Sequence, residues 1–419
     1  MGEFRARAPG KIILAGEHAV VQGSAAVAAA IDLYTHSSLH LLPASGPPSL
    51  PDYSFFLSFL VRSFLSFNCS DSFAEEGGAG AVEVDLRDTG LVFSWPCSRL
   101  REALGDGLAG AGVSAPRPCS PGELAAMAEL LAHEDIPEAK IWLAAGLSAF
   151  LYLYTSILGC RPGKAVVKSD LPLGAGLGSS AAFCVSISGA LLAAAGAIRA
   201  EASDDGTEWG SFGKDDLELV NQWAFQGEKI IHGKPSGIDN AVSTFGSMIK
   251  FKKGEFTNLR SSNPVKMLIT DTKVGRNTKA LVAGVSERVS RHPDAMASVI
   301  SAVNSISEEL SSIVELEAVD EVAIIAKEEK LAELMEMNQG LLQCMGVSHC
   351  AIETVLRTTL KYNLVSKLTG AGGGGCVLTL IPTLLSKLVL EKTTAELESH
   401  GFRCFKVKVG GRGLQFCQG

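Results

Sequence analysis

The chain has 419 residues, 47% of them hydrophobic and 20% charged, so it can bury a sizeable core, and at roughly 150 residues per domain it exceeds one minimal domain. Its 37 Lys and Arg against 45 Asp and Glu leave a formal charge of −8, which argues against a general polyanion binder; no nucleic-acid partner is expected, and any anion must be held by local groups. The 44 glycines gather in compact clusters rather than a repeat, which excludes collagen-like and flexible-linker classes.

In chain order, Phe4–Ala8 and Ile12–Leu14 predict strands on either side of a glycine turn, followed by an apolar run from Val20 to Leu33. Residues 45–80 change character abruptly and hold six of the 18 Phe; they read as an atypical insertion. Val82–Trp95 alternates as β structure, and Pro121–Ala132 starts a helix with Glu123 in its first turn. Ile141–Cys160 and Leu171–Ile198 carry no charge over a length that could cross a bilayer of about 30 Å. The second is interrupted by Gly and Pro and rich in Ser and Ala, so both are expected to be buried helices of a protein that does not enter the membrane. Between them, Ala165–Val167 reads as a strand. Asp215 or Asp216 caps a helix that runs to His232, where Gly233 and Pro235 stop it. Met267–Thr270 is a short strand, residues 294–345 are helix-rich, and Cys376–Ile381, Leu384–His400 and Phe405–Val409 follow as strand, helix and strand. This mixture predicts an α+β architecture of two lobes, residues 1–260 and 261–419, divided in the polar Thr257–Pro264 segment. Ten cysteines without a C-x-x-C pair, behind an N-terminus that makes a poor secretory signal, predict reduced thiols and a cytoplasmic protein.

Two glycine loops carry the chemistry. Gly174-Ala175-Gly176-Leu177-Gly178-Ser179-Ser180 follows a strand and opens a long helix. Its glycines let backbone N–H groups turn inward, and the helix N-terminus adds partial positive charge, which together make a cradle for phosphate. Ser179 and Ser180 can cap the helix, touch phosphate oxygens or reach a phosphate-bound Mg²⁺. The loop is not a Walker A motif, because none of the Gly-Lys pairs is followed by Ser or Thr. The second loop, Gly370–Gly375, matches G-x-G-x-x-G, but a strand follows it rather than the helix a dinucleotide fold needs. Five glycines in six residues still require a very close backbone approach. His36 and His40 have i,i+4 spacing without a carboxylate partner pattern and read as structural or surface residues.

Three ordered segments, Ala8–Val21 (APGKIILAGEHAVV), Gly174–Ala182 and Lys367–Cys376 (KLTGAGGGGC), resemble the signature motifs of the GHMP small-molecule kinases. Within that superfamily, PGKIILAGEHAVV, GEKIIHGKPSGIDNAVSTFG and TKVGRNTKALVAGV followed by RHPDAM are most similar to the mevalonate kinases, especially those of plants. The resemblance covers the chain apart from residues 45–80. It implies an N-terminal lobe like ribosomal protein S5, a ferredoxin-like C-terminal lobe and an active site between them. There, ATP with Mg²⁺ would phosphorylate the 5-hydroxyl of (R)-mevalonate, an early step of isoprenoid synthesis, and a homodimer is expected.

The resemblance also implies roles. Asp239 matches the catalytic aspartate that accepts the hydroxyl proton. A carboxylate with a pKa near ~4 is a weak base for an alcohol, so a cation must assist, and Lys11 matches that lysine. Glu228 and Ser180 match Mg²⁺ ligands, Ser169 a nucleotide contact, and Glu17, His18 and Thr278 mevalonate contacts, while Lys273, Arg276 and Lys279 read as a solvated basic loop. Two alternatives stand beside this reading. One is another GHMP kinase such as a phosphomevalonate kinase, whose acceptor pocket needs more cations than Glu17-His18 supplies. The other is a non-catalytic ligand sensor, which would be expected to lose Lys11, Asp239 or the loop serines.

Overall fold

The computed structural model describes residues 3–42, 80–105, 113–137, 140–141, 143–201, 206–261 and 263–418. The atypical window 45–80 lies outside them except for Gly80.

The organising element is the strand Ala26–Leu41, which pairs with Glu3–Ala15, Gly163–Ser169 and Met248–Lys252, and through Ile31 with Val409 of the strand Arg403–Val409. Its first half is apolar without alternation because both faces are covered. Val27, Ala29 and Ile31 enter one core cluster, while Ala28 and Ala30 pack with Ile238, Ala241 and Val242 in another. The expected turn at Pro9-Gly10 is instead a register shift inside one 13-residue strand, Glu3–Ala15. Pro9 offers no N–H to the ladder, and the pairing skips from Tyr34 to Ile31, so the partner strand bulges at Asp32 and Leu33.

The first lobe layers the helices Leu143–Leu158, Ser179–Ala194 and Lys214–His232 against this sheet, with the hairpin Ala81–Leu86/Leu91–Pro96 at its edge. The two charge-free stretches are therefore core helices, and among the described residues no helix is long and apolar enough to cross a membrane. Small side chains in Ser179–Ala194 permit close packing; Gly189 sits where a Cβ would press on Leu414. The helix Pro121–Ala132 begins as expected, with a reciprocal capping box between Ser120 and Glu123. The expected cap at Asp215 or Asp216 is displaced: Gly213 is the capping position, both aspartates lie in the first turn, and Asp216 accepts a hydrogen bond from the Arg199 N–H at 3.0 Å.

The second group of strands runs Ser366–Leu368, Cys376–Leu380, Val265–Asp271 and Arg403–Val409, all antiparallel, with Pro293–Glu315, Glu321–Met345, Cys350–Leu360 and Lys387–Ser399 as its helices. The last strand, Gln415–Gln418, returns to pair with Glu3–Ala15. One continuous sheet thus joins both halves, and the end of Glu3–Ala15 with the turn after it lies against the glycine loop of the second half.

Candidate active site

The strand Gly163–Ser169 delivers the first glycine loop to the helix Ser179–Ala194. Gly178 caps that helix in the left-handed region at φ +74°, with no side-chain cap hydrogen bond, so neither serine spends its hydroxyl on capping and the first-turn N–H groups are left for an anion. A Cβ on Gly178 would come within 2.8 Å of Lys11 Cγ, and the Lys11 N–H donates to Leu177 O at 2.8 Å. The glycine is what lets the lysine stem lie against the loop. Ser169 stands at the end of the strand, its hydroxyl 2.8 Å from that of Thr35 and its N–H donating to Asp88 Oδ2 at 2.6 Å.

Lys11 and Asp239 form an ion pair at 3.2 Å, with the lysine buried and the carboxylate partly open. Asp239 comes from the first turn of Ile238–Phe245, a helix capped by Gly237. Glu228 comes from the preceding helix and its side chain is 3% exposed. Burial, reinforced by the Asp239 charge, pushes its carboxyl up to about 7, against the favourable effects of Ser180 and Lys11. Its Oε1 is buried without a hydrogen-bond partner. Ser180 Oγ lies 3.0 Å from His232 Nε2, which is 3.9 Å from Glu228 Oε2. Burial holds His232 below its ordinary value. A buried carboxylate disfavoured by its neighbour's charge, with an orphaned oxygen beside a hydroxyl, suits a hard dication. Among the described residues no cluster of three His, Cys, Asp or Glu is found.

The second glycine loop closes on the first. Gly370, Gly372, Gly373, Gly374 and Gly375 all have positive φ, and Thr272 holds Gly375 O with both its N–H, at 3.0 Å, and its hydroxyl, at 2.8 Å. Arg276 fills the seam. A Cβ on Gly176 would overlap its guanidinium, one on Gly375 would come within 2.8 Å of it, and its Nη1 donates to Thr369 O at 3.3 Å. Arg276 is therefore no solvated side chain: burial pushes it below its ordinary value although Asp239 and Asp271 favour its charge. Lys273 and Lys279 on either side are exposed, as expected of a basic loop.

Glu17 and His18 lie in the turn after Glu3–Ala15. His18 has φ +58°, and its Nε2 is 2.9 Å from Ala371 O in the second glycine loop, while Nδ1 is buried without a partner. Glu17 is buried and ion-paired with the fully buried Lys367, and its other oxygen accepts from Asn338 Nδ2 at 3.1 Å. Thr278 is exposed at the start of the helix Thr278–Arg291, next to the capping Asn277. The structure thus gathers Lys11, Asp239, Glu228, Ser180 and the first glycine loop. It sets His18 at the junction of the lobes and gives both Glu17 oxygens to protein partners.

Sequence reasoning missed His232, Asp88 and Lys367 and misread Arg276. Lys367 stood in plain view before the second glycine run, yet only three-dimensional burial shows its charge answered by Glu17. His232 carried a legible signal, four residues after Glu228 on one helix face.

Comparison with known proteins identifies the family. The family model described as GHMP kinases N terminal domain matches residues 143–247, and that described as GHMP kinases C terminal matches residues 323–392. A mevalonate kinase of Arabidopsis thaliana is 51% identical over 415 residues, spanning 99% of this chain and 100% of that protein. A mevalonate kinase of Homo sapiens is 37% identical over 413 residues, spanning 97% and 93%. Among solved structures, the crystal structure of L. major mevalonate kinase in complex with R-mevalonate superposes with a TM-score of 0.64 at 19% identity, covering 97% of this chain and 96% of that one, which supports the shared fold. At these identities over nearly the whole length of each protein, the chain belongs to the mevalonate kinase family of GHMP kinases.

Proposed function

We propose that the chain transfers the γ-phosphoryl group of ATP to the 5-hydroxyl of (R)-mevalonate, yielding 5-phosphomevalonate and ADP. The observation that carries this reading is the Lys11–Asp239 pair at 3.2 Å, with the Lys11 stem against Gly178, the cap that gives the helix behind the first glycine loop no side-chain hydrogen bond. Phosphoryl transfer needs in-line positioning, neutralised phosphate charge and a destination for the hydroxyl proton. Asp239 takes the proton from the substrate hydroxyl. Lys11 lies close enough to favour the alkoxide, to hold Asp239 in place and to neutralise charge on the transferred group. Backbone N–H groups of residues 174–180 receive the phosphates, and Ser169 contacts the nucleotide.

Ser180 and Glu228 are the residues that would hold Mg²⁺, which when bound neutralises phosphate charge. To offer a lone pair, Ser180 must point its proton elsewhere, and His232 Nε2 at 3.0 Å is placed to accept it. His18 meets the mevalonate carboxylate from the far side, and Thr278 flanks the acceptor. Glu17 acts through its partners: with Lys367 and Asn338 it fixes the turn that presents His18. Because Lys367 is consumed by Glu17, the pocket has no spare cation from this pair for a phosphorylated acceptor. The reading also carries a cytoplasmic homodimer, which the resemblance supports and which fractionation and sedimentation would check.

ADP release measured with mevalonate, phosphomevalonate, galactose and homoserine tests the assignment. Turnover is expected with mevalonate alone; preference for any other acceptor overturns it.

A further inference from the structure

Asp239 stands on a helix that does little to hold its own first turn. Ile238–Phe245 has eight residues, and Asp239 is the second of them. Its cap, Gly237, lies at φ +82° and offers no side-chain hydrogen bond, while the Ile238 N–H reaches Ser236 Oγ only at 3.4 Å. Without a capping side chain, the start of such a helix is left for packing to fix. That packing comes from aromatic rings outside the helix. Phe225, from Lys214–His232, and Phe256, from the strand Glu255–Leu259, bound the space over Gly237: a Cβ there would lie 3.5 Å from the first ring and 3.8 Å from the second. Lys229 Nζ lies over the Phe225 ring, 4.7 Å from its centroid.

The hairpin that carries Phe256 is itself tied down. Phe256 faces Phe251 across the hairpin, with ring centroids 5.0 Å apart, and Phe251 packs against the cluster that holds Ile238, Ala241 and Val242 of the short helix. Lys253 at φ +51° and Gly254 at φ +89° make the two-residue turn, with the left-handed pair of centres that suits the twist of a hairpin. Side chains alternate along Met248–Lys252, so Lys250 and Lys252 stand on the face opposite Phe251. Both lysines pair with Glu308 of Pro293–Glu315, Lys252 at 2.7 Å. Phe256 is nevertheless 46% exposed, and its neighbours Glu255, Thr257 and Asn258 are exposed and polar. Core burial therefore does not account for a phenyl ring at this position.

The geometry points to Phe256 as a positioning residue for the transfer: with Phe225 it fixes the cap at Gly237, and through it the place of Asp239 relative to Lys11 and the acceptor hydroxyl. The ring acts through the backbone of the turn and takes no part in the chemistry. This inference rests on the reading of Asp239 as the proton acceptor.

Phe256→Ala and Phe256→Tyr in the full chain, with Asp239→Asn as the reference, test it by ADP release and by equilibrium dialysis of ATP. In Phe256→Ala, kcat should fall about tenfold, since misplacing a reacting group by an ångström can cost up to about a hundredfold. KM for mevalonate should stay within about twofold and ATP bound per chain should stay at the wild-type level, because the loss falls on the transfer step alone. Phe256→Tyr keeps the ring and should hold kcat within about twofold of wild type. Added to Asp239→Asn, Phe256→Ala should change the residual rate less than about twofold, since no base is left to displace. Unchanged kcat in Phe256→Ala, or a fall that Phe256→Tyr shares, overturns the role. A fall in kcat matched by an equal fall in bound ATP marks a ring needed only for folding and overturns it too. Full turnover in Asp239→Asn overturns the reading of Asp239 and this inference with it, whereas an inactive Asp239→Asn beside a fully active Phe256→Ala overturns this inference alone.

Discussion

Replacing Glu228 by glutamine separates the stability of the active site from its function. Burial and the Asp239 charge move the Glu228 carboxyl from an ordinary 4.5 up to about 7. Between those values the folded chain keeps a proton that the unfolded chain gives up, so stability falls as pH rises through this window; the cost is absent below it and complete above it. At about 1.4 kcal/mol per tenfold change in proton affinity, the charged carboxylate costs about 3 kcal/mol at pH 8 and about 1 kcal/mol at pH 5. Glutamine has nearly the same volume and no charge. With an unfolding entropy of about 2.1 cal/mol/K for each of the 419 residues, calorimetry of metal-free, nucleotide-free E228Q should show melting about 3 °C above wild type at pH 8 and about 1 °C above it at pH 5. The same variant should need a far higher Mg²⁺ concentration for half-maximal ADP release. Equal stabilisation at both pH values, or destabilisation at pH 8, would refute the idea of a strained buried charge. An unchanged Mg²⁺ titration would refute the ligand role.

Asp239→Asn removes the proton acceptor at almost no cost in volume, so turnover should fall at least about a hundredfold while ATP binding, read by equilibrium dialysis, stays near wild type; retained turnover removes Asp239 as base. Gly176→Ala forces a side chain onto φ +84° and into the Arg276 guanidinium. It should cost about 1–3 kcal/mol and weaken nucleotide binding, and normal affinity would show that Arg276 moves freely out of the seam. Lys367→Met leaves Glu17 charged, buried and without its cation, and should cost about 3–5 kcal/mol by denaturant titration. If the variant keeps full stability and a wild-type KM for mevalonate, the strut role of Glu17 fails.

The features legible in sequence were those written in local backbone chemistry. The first glycine loop, its strand before and helix after, and the stop at Gly233 all follow from φ requirements and capping, which neighbours in sequence decide. The Pro9-Gly10 pair was misread because Pro and Gly punctuate turns, whereas here the bulge falls on the partner strand, where Asp32 and Leu33 give no warning. Arg276 was misread because its burial is created by loops about one hundred residues away on either side, and a basic side chain in R-N-T-K has no local mark of being enclosed. Glu17 resembled a substrate contact by position; that Lys367 and Asn338 occupy both its oxygens is a fact of lobe packing.

Arg276 and Glu228 belong to one pattern. Around the lobe junction the chain places charge where stability alone would not: Glu228 is pushed up by burial and by Asp239, and Arg276 is pushed down by burial between two glycine loops. One is an anion short of a cation and the other a cation short of an anion, and both feel Asp239 of the matched Lys11–Asp239 pair. On the proposed reading, a nucleotide phosphate chain with its dication has the opposite sign at each point, so its binding would relieve both strains together and stabilise the folded state by mass action. A sensor could be built from a site that merely accommodates phosphate. A pair of opposed, uncompensated charges close to a matched acid and base is the arrangement expected when binding energy is directed at a reacting centre.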